Sequence, residues 1–423
     1  MQDNKTYDYE RLLEIGRPPN IKRLFPGSRA LIVSGKVVDR ALMKKGKAMT
    51  IAANGRNYFV IRGALRAAQR ANAAIILEIA KSESTYCAVN MWNLARITNA
   101  LCNEMGITVP IAIHADHFAI KGEEDLKKAR KQIPSLFDFG ITSIAIDASH
   151  LPDRENLLAN IELSRYIPSW AGYETEVGEI KGKEGLSTPE EALFLIRGLN
   201  AHGIFPDWIA LNNGTTHGIQ DSDAGIQVEL TARIHEALRP YNISGAQHGT
   251  SGNNSERLKE IAQKTATTKA NVATALQMLS WGVRVNEYGN AVMDEKGEFI
   301  KEKDKGVSEE LWKEMVEYAK KNGLKGGNYK KLNLPFETSL LSEPPEIRER
   351  MSKAVEDFVY ELLVDVFNAA DTADIAKELL LEAGSYDLGP KARKIEDEKE
   401  WSIERIKQME DLRQDVGDGD YDD

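Results

Sequence analysis

The sequence is poor in cysteine, in long apolar runs and in positive charge, and each shortage narrows what the chain can be. Two cysteines in 423 residues, Cys87 and Cys102, cannot build a disulfide framework. With no secretory start, they point to a reducing interior and a cytoplasmic protein. No apolar run reaches the roughly 18 residues of a membrane-spanning helix, so the longest apolar stretches are expected to be buried strands and helix faces. Lys and Arg number 55 against 65 Asp and Glu, a net charge of −10. That balance disfavours nucleic acid as a partner, because phosphate backbones need clustered cations. It leaves room for a small anion, which backbone N–H groups and helix N-termini can hold locally whatever the global charge.

What the chain does have is an alternation. From Met49 onward, short runs rich in Ile, Val and Ala alternate with amphipathic segments, the pattern of parallel strands covered by helices. Eight strands are expected near Met49 to Ala53, Ala74 to Ala80, Pro110 to His114, Ser143 to Asp147, Gly172 to Val177, Asp207 to Leu211, Ser244 to His248 and Thr268 to Val272. Helical periodicity follows at Ile61 to Arg70, Ala88 to Asn103, Glu155 to Arg165, Pro189 to Leu199 and Val228 to Leu238. Pro189 after Ser187 and Thr188 reads as a capped helix start. Eight such units in about 240 residues predict an α/β fold, a (β/α)8 TIM barrel; a doubly wound open sheet is the alternative with the same alternation.

The expected organisation is an N-terminal extension (1–48) with a turn at Gly16 to Pro19, a catalytic barrel (49–285), and a hairpin and helical C-terminal extension (286–414). The hairpin is expected to be exposed, over Val285 to Lys303 around Asp294 to Gly297. Added helices at Ser308 to Lys321 and Glu346 to Ala369 are expected to pack outside the barrel. The acidic end, Asp415 to Asp423, is expected to be disordered.

Only seven histidines occur, and His117, His217 and His248 fall at or just after the ends of the third, sixth and seventh expected strands. In a barrel those ends converge on one face. Three imidazoles there could hold a Zn2+ ion and leave a position open for water or substrate; the alternative for each is an ordinary loop or capping residue. His114 and His150 lie near strand ends and could line the same pocket, whereas His202 and His235 sit in helical or post-helical segments and read as structural. Asp116, beside His117, is placed to move a proton at a substrate hydroxyl or to orient an imidazole. Glu174 and Glu176 share one face of a strand. Glu184 follows in a loop with Gly178, Gly182 and Gly185, and a carboxylate on a mobile loop suits proton abstraction next to a polarised carbonyl; a solvated surface carboxylate is the alternative. The segments His248 to Gly252 and Lys269 to Thr274 lie where barrels bind phosphate, although a Gly-rich turn is also an ordinary strand-to-helix connection.

Taken in order, these residues resemble the class II fructose-bisphosphate aldolase family over roughly residues 49 to 285. The resemblance rests on His114-Ala115-Asp116-His117, Ile146-Asp147-Ala148-Ser149-His150, Glu174-Thr175-Glu176-Val177-Gly178 with Gly182-Lys183-Glu184, Thr216-His217-Gly218, His248-Gly249-Thr250-Ser251-Gly252 and Lys269-Ala270-Asn271. It implies a metal-dependent lyase that reversibly cleaves fructose 1,6-bisphosphate to dihydroxyacetone phosphate and glyceraldehyde 3-phosphate, with Zn2+ or another divalent transition metal as cofactor. By resemblance, His117, His217 and His248 are the metal ligands and Glu176 holds the metal in an alternative position. Asp116 handles the proton on the C4 hydroxyl and Glu184 the proton at C3. Gly218, Gly249, Ser251 and Thr274 form the phosphate cradle, with Asn271 contacting substrate. Relatives of this kind imply a homo-oligomer acting on a small sugar phosphate.

The sequence departs from the family where Asn271-Val272-Ala273-Thr274-Ala275 replaces the usual Asn-Ile-Asp-Thr-Asp, removing two carboxylates. Thr250 and Lys183 also depart from the usual glycine and acidic residue. Other readings stay open at this point: another ketose phosphate such as tagatose 1,6-bisphosphate, a metal-dependent hydrolase on the same barrel, a non-catalytic partner subunit, and Schiff-base chemistry at Lys269.

Overall fold

The computed structural model of the protein describes residues 8–178, 185–214 and 225–412. Eight parallel strands close into a barrel in sequence order: β1 (Thr50–Asn54), β2 (Ile75–Ala80), β3 (Ile111–Ala119), β4 (Ser143–Asp147), β5 (Gly172–Val177), β6 (Trp208–Leu211), β7 (Ser244–Gln247) and β8 (Thr267–Val272). Closure is set by β8 pairing back onto β1, with Thr50 opposite Lys269 and Ala52 opposite Asn271. The open-sheet alternative is thereby excluded. Seven strands lie within a residue of where the alternation puts them; β3 runs five residues past its expected end at His114.

The cause of that difference lies in the strand. Residues Asp116 and His117 of β3 face a single residue of β4, because the register shifts between Ala115 and Phe118. His117 takes up the slack with a left-handed φ of 41°, uncommon for a residue with a side chain. Such a bulge re-aims side chains beside it. In an unbroken strand Asp116 and His117 would point to opposite faces; here both reach the barrel interior.

The helices follow the sequence pattern with one instructive change. Val228–Leu238 has the expected bounds, and Pro189–Ala201 starts with a capping box between Thr188 and Glu191. The helix expected from Ala88 begins at Leu94, because Asn90 and Asn93 bond their side chains to nearby backbone: Trp92 N donates to Asn90 Oδ1 and Asn93 Nδ2 to Ala88 O. Such local bonds compete with helical ones.

Both extensions are part of the main core. The helix Gly35–Lys45 closes the N-terminal end of the barrel, and its Gly35 sits so close to Ser143 of β4 that a Cβ would come within 2.6 Å of the hydroxyl. The helix Pro345–Glu361 packs on Tyr58–Ala71, where Gly63 lets the backbone carbonyl of Ser352 approach to 2.5 Å of the position a Cβ would occupy. A further helix, Thr372–Ala383, lies against Gly35–Lys45. The expected hairpin forms through antiparallel bridges Val283–Lys301, Val285–Ala291 and Met293–Phe299, but Ala291 and Phe299 are buried with Trp281 and Trp312 in a second apolar cluster. It is exposed only in part. No helix among the described residues is long and apolar enough to cross a membrane, and the segment Asp415 to Asp423 lies outside the described residues.

Candidate metal centre and active site

The barrel mouth collects side chains from five strands. His117 from β3 and His248, just past β7, meet edge to face, with ring centroids 4.3 Å apart. Asp116, His117 and His248 can each present a ligand atom within 4.8 Å of the others. Around them stand carboxylates: Asp147 Oδ2 lies 3.1 Å and Glu176 Oε1 3.2 Å from His117 Nδ1, and Glu176 Oε2 lies 3.9 Å from His248 Nδ1. All of these residues are buried.

This donor set fits a divalent cation. Carboxylates packed together away from water repel one another unless a positive charge is shared among them, and the two imidazoles beside them offer nitrogen donors to such a charge. Glu176 Oε1 is buried with no hydrogen bond, and the Glu176 carboxyl is pushed up to about 8, first by burial and then by Asp147. Burial alone would lower the His117 imidazole, yet Glu176, Asp116 and Asp147 outweigh it and raise it well above the usual histidine range.

Beneath the mouth lies a second layer. Lys269 Nζ, fully buried on β8, donates to Glu174 Oε2 at 2.7 Å and lies 3.4 Å from Glu78 Oε2 and 3.7 Å from Asp116 Oδ1. It also donates to His114 Nε2 at 3.1 Å. An ammonium can only donate, so His114 carries its proton on Nδ1, where it meets Ser143 Oγ at 2.7 Å. The other Glu174 oxygen receives His248 Nε2 at 2.9 Å, which leaves Nδ1 of His248 as the nitrogen with a lone pair toward the mouth. A carboxylate bonded behind a ligating imidazole fixes its tautomer and ring direction. Burial would lower the Lys269 amine, but Glu174, Glu78 and Asp116 outweigh it and hold it protonated. A Schiff base needs a neutral amine, so this lysine is built as a fixed cation.

Asp116 Oδ1 accepts a hydrogen bond from Asn271 Nδ2 at 3.0 Å, tying β3 to β8. Thr250 Oγ1 donates to the Asn271 carbonyl at 2.5 Å. Gly249 has the positive φ of 58° that its sharp turn requires. Ser251 opens onto a cavity of about 310 Å3 between the barrel and the C-terminal extension, shared with Asn253, Val272 and Tyr288. Thr274 begins the helix Thr274–Trp281 and its hydroxyl accepts from Arg56 Nη1 at 3.3 Å.

Of the residues singled out in the sequence, Asp116, His117, Glu176, His248 and Asn271 come together, while His217, Gly218 and Glu184 lie outside the described residues. His114 belongs to the layer below. His202 bonds the Trp401 carbonyl and His235 accepts from Ala266 N, both far from the mouth. Sequence reasoning passed over Glu78 and Arg56. The signal for Glu78 was present, a single carboxylate inside the apolar strand Ile75–Ala80.

The comparisons agree with this geometry. The family model described as class-II fructose-bisphosphate aldolase matches residues 36–323. A fructose-bisphosphate aldolase of Streptococcus pyogenes serotype M3 is 30% identical over 256 residues, 58% of this chain and 80% of that protein. One of Mycoplasma pneumoniae is 29% identical over 244 residues, 57% of this chain and 79% of that protein. Among solved structures, the YdjI aldolase from Escherichia coli K12 superposes with a TM-score of 0.54 at 16% identity, over 81% of this chain and 99% of that one. At that identity the likeness speaks for the fold. With a family model spanning the whole barrel and the hairpin beyond it, the chain belongs to the class-II fructose-bisphosphate aldolase family.

Proposed function

We propose that this chain catalyses the reversible aldol cleavage of fructose 1,6-bisphosphate to dihydroxyacetone phosphate and glyceraldehyde 3-phosphate. The observation that carries the reading is the meeting of Asp116, His117 and His248, whose possible ligand atoms lie within 4.8 Å of one another, in a chain of this family. His117 and His248, with His217, would hold the divalent ion, which we take to be Zn2+, and Glu176 would offer it a second position. When bound, the ion supplies Lewis-acid polarisation of a carbonyl.

The chain's own groups do the rest. Asp116, held by Asn271, takes the proton from the C4 hydroxyl as C3–C4 breaks and returns it in synthesis. Glu184 exchanges the proton at C3 of the ketone fragment; this role rests on its motif. Gly218, Gly249, Ser251 and Thr274 orient the phosphate, and Glu174 holds the His248 ring in line. Residues 49–285 form the catalytic core in this reading. The protein is read as a homo-oligomer of the reducing cytoplasm, which its two buried free cysteines suit. Ala273 and Ala275, where the family carries aspartates, make tagatose 1,6-bisphosphate the comparison substrate.

The test is cleavage of fructose 1,6-bisphosphate to triose phosphates before chelation, after it, and with zinc restored. Loss and recovery of cleavage are expected. Turnover that persists in the demetallated protein, or hydrolysis in place of carbon–carbon cleavage, would overturn the reading.

A further inference from the structure

Just past the end of β1, Arg56 is buried, 6% exposed. Its Nε lies 2.5 Å from Glu83 Oε1, and Nη1 reaches Thr274 Oγ1 at 3.3 Å and Gln277 Oε1 at 3.4 Å. Among the described residues Nη2 has neither a hydrogen bond nor an ion pair. Glu83 is locked in place by accepting from Ala80 N at 2.8 Å. Gln277 Oε1 is held from the C-terminal extension by Asn333 Nδ2 at 2.8 Å. The guanidinium is thus fixed on three sides with one arm unused.

Through its contact with Thr274 the guanidinium lies beside a helix start that has no side-chain cap. The helix Thr274–Trp281 has no side-chain cap at Ala273 and no acidic residue in its first turn, so neither offsets its free N–H groups and partial positive charge. Where the family carries two carboxylates the chain has Ala273 and Ala275. The guanidinium's remaining donors suit an anion. A guanidinium donates in a flat fork that matches phosphate oxygens.

We infer that Arg56 is a substrate-positioning residue that binds a phosphate ester together with Thr274 at the start of the helix Thr274–Trp281, an assignment that rests on the aldolase reading above. Glu83 and Gln277 hold the fork flat and, through Asn333, connect the extension to substrate affinity.

The experiment compares binding of dihydroxyacetone phosphate and dihydroxyacetone to the zinc-loaded protein, alongside KM and kcat for fructose 1,6-bisphosphate. Removing Arg56 alone strands the Glu83 carboxylate, so the double variant Arg56→Gln/Glu83→Gln is paired with Arg56→Lys. Both are expected to bind dihydroxyacetone phosphate roughly tenfold to a hundredfold more weakly, with dihydroxyacetone binding unchanged and KM rising more than kcat falls. Unaltered affinity for the phosphate ester, or equal weakening for both ligands, overturns the assignment. A parent protein that binds the phosphate ester no more tightly than dihydroxyacetone overturns the phosphate-site reading itself, and this proposal with it.

Discussion

The Lys269 ammonium donates to one oxygen of the Glu174 carboxylate at 2.7 Å, and the other oxygen of the same carboxylate receives Nε2 of His248 at 2.9 Å. A charge fixed deep in the barrel therefore sets the direction of an imidazole at its mouth. Lys269→Met should leave Glu78 and Glu174 buried without their cation and cost about 3–5 kcal/mol of stability. In whatever fraction folds, zinc affinity should drop about 10- to 100-fold as Glu174 loses its anchor. Denaturant unfolding of the metal-free protein and a competitive zinc titration measure the two effects. Unchanged zinc affinity would show that Lys269 does not act through Glu174.

Asp116 stands between Asn271 and the two histidines. Asp116→Asn keeps the shape but cannot take a proton, so kcat for cleavage should fall by about 10^2- to 10^4-fold, with zinc still bound. Metal content by atomic absorption and steady-state cleavage separate the roles. If the variant loses its zinc, Asp116 is a metal ligand first.

His235, behind β7, is buried, and burial pushes its imidazole down to about 4. The unfolded chain takes up that proton near 6.5, so between the two values it binds more protons than the native state. The contribution is present above about pH 6.5 and lost as pH falls through 4, about 3 kcal/mol in all. His235→Gln should flatten this part of the stability curve while keeping an acceptor for Ala266 N. Equal pH slopes for parent and variant in urea titrations from pH 7 to 4 would refute this account.

Lys391 ties the C-terminal segment to the barrel floor: its ammonium reaches Asp39 Oδ2 at 2.5 Å, the Asp207 carbonyl at 2.8 Å and Ser244 Oγ at 2.7 Å. Lys391→Met leaves Asp39 with Thr268 alone and should cost about 3 kcal/mol. The floor is at the far end from the mouth, so kcat/KM well below the melting temperature should stay within twofold of the parent. A large catalytic loss without a drop in Tm would mean that the floor and mouth are coupled.

The sequence by itself determined the strands and their order, because buried parallel strands are local apolar runs: Ser143–Asp147 and Gly172–Val177 stand where the pattern puts them. It also put histidines and carboxylates at strand ends; that those ends share one mouth follows from the closure of β8 onto β1. Three things were decided only by tertiary structure. The bulge that turns His117 inward beside Asp116 arises from register against β4, which no single segment encodes. The burial of Gly35–Lys45 under the barrel depends on close approach to Ser143, a contact about a hundred residues away in the chain. The charge layer of Glu78, His114, Glu174 and Lys269 exists only because β2, β3, β5 and β8 close on one axis; each residue alone is a polar interruption in a strand, and their pairing is a property of the closed barrel.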